Sequence, residues 1–138
     1  VVPWLAAAMV EEVQRVGAPF GVVTWAPTTP ERRRRRGFDP AELLARAVAR
    51  RVRAGCATLL VRRPGPPQTG LGAVARQCGP QFTARRAAPS RVLLVDDVAT
   101  TGATLAAAAI TLRDAGAREI VALTAARTPP PSHAQRPP

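Results

Sequence analysis

The residues best suited to chemistry lie together in VLLVDDVATTGATL, residues 92–105. Four apolar residues lead into two adjacent carboxylates, Asp96 and Asp97. Thr100, Thr101, Gly102, Ala103 and Thr104 follow, then an alanine-rich run. The apolar run reads as a buried strand and the alanine-rich run as a helix. Small residues around Gly102 let the backbone approach a ligand closely. The N–H groups of residues 101–104, at a helix start, then form a phosphate site. Carboxylates cannot serve a phosphate, but they accept hydrogen bonds from sugar hydroxyls or help hold Mg2+. Acids beside a phosphate cradle therefore suggest a ribose 5-phosphate. A strand-end turn or a helix cap explains each residue taken singly; the combination points to a ligand.

The elements that must position these residues follow from periodicity. Trp4, Leu5, Ala8, Met9 and Val13 fall at helical spacing, with Gly17 as the closing residue. FGVVTWA (20–26) reads as a first strand, and PTTPERRRRRGF as a loop. Asp39 then offers an N-cap, Pro40 suits the first helical position, and Glu42 stands where a capping box places an acid. Leu43, Leu44, Ala47, Val48 and Val52 make that helix's apolar face. ATLLV (57–61) reads as a second strand, RVLLV (91–95) as a third and EIVALT (119–124) as a fourth. Leu105, Ala108, Ala109 and Leu112 form the last helical face, closed by Gly116. Strands alternating with helices predict an α/β fold with a parallel β-sheet flanked by helices. Ligands of such sheets bind beyond the C-terminal strand ends, where Asp96 and Asp97 fall. Residues 1–127 read as one domain. Residues 62–90, rich in Pro, Gly and Arg, form a hood or flexible loop, and 128–138 a disordered Pro-rich tail.

Composition narrows the function. The chain has 138 residues, 46 % of them hydrophobic, which suits one globular core. Its 20 basic residues against 9 acids give a formal charge of +11, and every base is an arginine. Without lysine there is no P-loop. Cys56 and Cys78 form no CxxC pair, and the single histidine, His133, sits in the tail, which argues against a zinc site or histidine catalysis. A phosphoacceptor receiver domain also ends an apolar strand in two acids, but there the acids close the first strand and a full domain follows. VVPWLAAAMV is too short to span a membrane, lacks a basic leader and runs into Glu11 and Glu12. A soluble, cytoplasmic protein is expected, with no membrane partner.

Residues 92–105 closely resemble the 5-phosphoribosyl 1-diphosphate (PRPP) binding motif of type I phosphoribosyltransferases. APTTPERRRRRGFDPAELLARAVARR resembles the ComF/GntX (competence protein F) branch, whose members carry a Pro-and-Arg loop ending in RGFNQ. RRPGPPQTGL resembles that branch's hood segment. The resemblance implies a Rossmann-like phosphoribosyltransferase fold that binds PRPP with Mg2+ and transfers a 5-phosphoribosyl group to a nitrogen acceptor, such as a nucleobase. Asp96 and Asp97 would bind the ribose hydroxyls and, indirectly, the metal. Thr100, Thr101, Gly102, Ala103 and Thr104 would cradle the 5-phosphate. Ala26, Pro27, Arg32 and Arg36 would form the diphosphate loop, and Gln68 and Arg76 would belong to the hood. RGFNQ is RGFDP here, the basic stretch after Leu71 is reduced, and Thr100 stands where several salvage enzymes carry an Asp as candidate base. No segment corresponds to the branch's zinc ribbon, which leaves a truncated member as one expectation.

The run Arg32 to Arg36 fits a solvated loop, a diphosphate clamp or a nucleic-acid patch. Its place after the first strand favours the clamp. The alternative function is a competence accessory protein binding single-stranded DNA, for which only Trp25 and Phe38 flank the run as stacking groups. The acceptor and the oligomeric state stay open at this level.

Overall fold

The computed structural model describes residues 2–17, 19–64, 80–99 and 101–127. A three-stranded parallel sheet carries the site, in the order β1 (Val22–Trp25), β4 (Arg91–Ala99), β5 (Glu119–Arg127). β4 is central: Val22 pairs with Val92 and Trp25 with Val95 on one side, and Arg91 with Glu119 on the other. Its run Val92 to Val95 is wholly buried, as a parallel strand covered on both faces must be.

Successive side chains point to opposite faces. Val23, Trp25, Leu93 and Val95 face α1 (Val2–Val16) and α3 (Pro40–Val52), meeting Met9, Val10, Val13, Leu44 and Val48. Val22, Val92 and Leu94 face α4 (Ala103–Asp114), meeting Ala108 and Leu112. Leu93 and Leu94, both fully buried on opposite faces, each contribute roughly 2 kcal/mol. The helices fall where periodicity placed them, with smaller residues doing part of the packing. Trp4 is 74 % exposed while Ala6 and Val10 are buried, and Leu43 is exposed while Ala45 and Ala49 are buried. Gly17 follows α1 at φ +70°. Asp39 caps α3 as expected, whereas Glu42 is engaged with Arg46 at 2.9 Å and Arg33 at 3.4 Å.

Three expectations need correction. First, the arginine run is not a loop but a two-turn helix, α2 (Pro30–Arg36). Thr29 Oγ1 accepts the Arg32 N–H at 3.2 Å, and Gly37 at φ +80° donates its N–H to Arg33 O at 2.8 Å. Caps at both ends and a Glu31–Arg35 pair at 3.3 Å offset the repulsion between neighbouring arginines.

Second, residues 57–61 are not a strand of the main sheet. The chain touches β1 through one bridge, Val23 to Cys56, then diverges. The Leu59 N–H goes to the Thr24 hydroxyl at 3.3 Å. The strand proper, β2 (Leu60–Arg62), pairs antiparallel with β3 (Phe82–Ala84) as a separate two-stranded sheet over α4. Third, β3 lies inside the segment read as a continuous loop, and β4 and β5 run on to Ala99 and Arg127. Among the described residues, no helix is long and apolar enough to cross a membrane.

Candidate functional site

β4 delivers the acid pair one step beyond Val95. Asp96 is only 5 % exposed, and Asp97 is half-buried. The Asp97 N–H donates to Asp96 Oδ1 at 2.9 Å. Burial, then the hydrogen bond and charge of the Asp97 carboxylate, push Asp96 up to about 7; the charge of Asp39 adds to this, while the Asp97 N–H acts the other way. Near neutrality Asp96 can therefore accept or donate a hydrogen bond.

The turn after β4 reaches α4 through Gly102 at φ +80°, a conformation that favours glycine. A Cβ there would meet nothing within 4 Å, so backbone conformation rather than crowding calls for the glycine. Thr101 Oγ1 accepts the Ala103 N–H at 3.3 Å. A shallow, open depression lies against this turn, lined by Asp96, Val98, Ala99, Gly102, Ala103, Thr104 and Leu105. Asp96, Gly102, Ala103 and Thr104 thus meet in one place. Asp97 and Thr101 stand beside it without lining it, and Val98 and Ala99 add apolar walls that sequence reasoning did not name. Thr100, Gln68 and Arg76 lie outside the described residues.

The loop after β1 is tied to the strand that bears the acids. Ala26 is buried and its N–H donates to Val95 O at 3.0 Å, joining the loop to the strand that bears the acids. The Thr28 N–H donates to Asp39 Oδ2 at 2.9 Å, and Arg62 donates to Pro27 O at 3.4 Å. Arg32 and Arg36 are exposed on α2, and their i, i+4 spacing puts them on one face. Arg33 and Arg35 instead pair with Glu42 and Glu31.

Sequence reasoning missed Arg62, placing it only at the start of the long loop. It is half-buried at the end of β2, 5.7 Å from the centre of the Phe82 ring. Burial, then the charge of Arg32, hold its guanidinium below the ordinary value, while Asp96 and Asp39 act the other way. Its bond to Pro27 O sets Arg62 against the diphosphate-loop candidate. The available signal was a cation ending the apolar run ATLLVR.

Among the described residues, no cluster of three His, Cys, Asp or Glu side chains could hold a metal alone. Two adjacent carboxylates, one buried and already accepting a hydrogen bond, suit a Mg2+ held mainly by water and ligand oxygens.

The parallel sheet, which bears the acid pair within its central strand and is followed by a glycine turn and helix, has the type I phosphoribosyltransferase fold, as the solved structures similar to it show. An allosteric regulatory enzyme of purine biosynthesis matches with a TM-score of 0.59 and 21 % identity over 90 % of this chain, which spans only 25 % of that chain. A purine phosphoribosyltransferase from Pyrococcus horikoshii matches at 0.57 and 14 % identity, covering 92 % of this chain and 80 % of its own. The hypoxanthine phosphoribosyltransferase of Trypanosoma cruzi matches at 0.51 and 12 % identity, covering 94 % and 72 %. No family model matches the chain, and no curated protein matches it in sequence.

Proposed function

We propose that the chain is a ComF-branch, phosphoribosyltransferase-like protein that binds PRPP with Mg2+ and transfers its 5-phosphoribosyl group to a nitrogen acceptor, releasing diphosphate. The observation that carries this reading is the meeting of Asp96 with Gly102, Ala103 and Thr104 in one depression at the end of β4. The first turn of α4, where Gly102 at the N-cap brings no side chain, takes the 5-phosphate. Asp96 and Asp97 take the ribose hydroxyls, which places C1 toward the Ala26–Pro27 loop. Arg32 and Arg36 neutralise the diphosphate as the bond to C1 breaks and the nitrogen bonds in its place. Thr100, Gln68 and Arg76, which the resemblance assigns to the phosphate cradle and the hood, lie outside the described residues. Mg2+, when bound, supplies charge neutralisation at the diphosphate and ribose oxygens.

Calorimetric titration with PRPP, with and without Mg2+, tests the reading. Mg2+-dependent binding is expected, and it should vanish when Asp96→Asn and Asp97→Asn are combined. No heat at millimolar PRPP overturns it. A nucleobase screen for diphosphate release then identifies an acceptor.

The exposed arginines of α2, with Phe38 46 % exposed beside them, support a second reading, single-stranded DNA binding. It calls for affinity that falls steeply with salt and on replacing Arg32 to Arg36.

A further inference from the structure

The carbonyl of Pro27 and the N–H of Thr28 belong to one planar peptide unit. Both ends are held by charged side chains distant in sequence. Asp39, only 3 % exposed, accepts the Thr28 N–H through Oδ2 at 2.9 Å while its Oδ1 accepts the Ala41 N–H at 3.1 Å. On the other side, Arg62 donates to Pro27 O at 3.4 Å. An anion on the N–H end and a cation on the C=O end match the peptide dipole, and both bonds are charge-assisted. The preceding residue is fixed as well, because the Ala26 N–H donates to Val95 O at 3.0 Å. Pro27 has no N–H. Residues 26–28 therefore have no uncommitted backbone amide, and anion recognition at this loop falls to side chains.

We propose that Asp39 and Arg62 act as positioning residues that clamp the Pro27–Thr28 peptide and so set the shape of the loop facing the diphosphate. The ligand half of this inference rests on the reading of that loop given above. Asp39 does two jobs that substitution can separate. Serine is as good an N-cap as aspartate, but its shorter side chain cannot also reach Thr28. An asparagine in place of Asp39 would set an NH2 donor against one of the two amides, so it keeps one bond and loses the other.

The test compares the unaltered protein with Asp39→Ser and Asp39→Asn. Three readouts are needed: thermal melting, amide exchange at Thr28 by NMR, and affinity for PRPP·Mg2+ against ribose 5-phosphate, which lacks the diphosphate. Asp39→Ser is expected to melt near the unaltered protein and to lose protection at Thr28. It should bind PRPP about tenfold more weakly while holding ribose 5-phosphate unchanged. Asp39→Asn should fall between the two. Retained protection at Thr28 in Asp39→Ser, or equal loss of both ligands, overturns the clamp. If the unaltered protein binds no PRPP, the functional reading fails and takes the ligand half with it, while the exchange data still decide whether Asp39 holds the peptide.

Discussion

The backbone N–H of Asp97 donates to Oδ1 of Asp96 at 2.9 Å, so the second acid of the pair offers the first a hydrogen bond while its carboxylate repels it. Repulsion and burial win, and Asp96 titrates near 7 instead of its ordinary 3.8. The unfolded chain therefore ionises this carboxyl well before the folded chain does. Stability falls as pH rises from about 4 to about 7 and then levels off. Asp96→Asn is expected to raise the melting temperature at pH 8, with a gain that shrinks toward pH 4. Melting curves across that range check it, and a gain independent of pH argues against the buried charge as its source.

The same titration governs binding. If ribose hydroxyls need the ionised Asp96, PRPP·Mg2+ affinity at pH 6 should be about tenfold weaker than at pH 8, because only about a tenth of the carboxyl is then ionised. Calorimetry at the two pH values measures this, with correction for the ligand's own phosphate ionisation. A flat profile removes Asp96 from the hydroxyl contacts.

Gly102 and Gly37 share φ +80° and open space at the Cβ position, but only Gly102 lines the depression. Gly102→Ala and Gly37→Ala should each cost about 1 kcal/mol in denaturant unfolding. Only Gly102→Ala should lower the affinity for ribose 5-phosphate. Equal effects of both variants on that ligand would place the phosphate elsewhere.

Thr24 is fully buried in β1, and its hydroxyl oxygen accepts the Leu59 N–H at 3.3 Å where the chain leaves the main sheet. Thr24→Val keeps the shape but leaves that buried amide without its partner, at a cost of roughly 1–3 kcal/mol. Chemical denaturation reads the loss. No loss means that Leu59 finds another acceptor and that Thr24 does not direct the departure toward β2.

What the sequence determined by itself is local. The apolar run Val92 to Val95 read as a buried strand with the acids directly after it, and Gly102 with the alanines after it made a turn into a helix, although β4 takes in both acids and runs on to Ala99. Asp39 followed by Pro40 marked the start of α3 for the same reason: caps act within a few residues of themselves. The arginine helix was legible in principle from Thr29, Pro30 and Gly37, but a run of like charges argued the other way, and the caps with the Glu31–Arg35 pair decided it. The tertiary structure alone decided which distant groups meet. It turned the second oxygen of Asp39 onto Thr28 and brought Arg62 to Pro27, 35 residues away in sequence. It also took β2 out of the main sheet to pair with β3 and placed Asp96, without Asp97, in the wall of the depression. Side-chain type and spacing show what a residue can bond, but long-range packing chooses the partner, because burial leaves each polar group only the neighbours that the fold supplies.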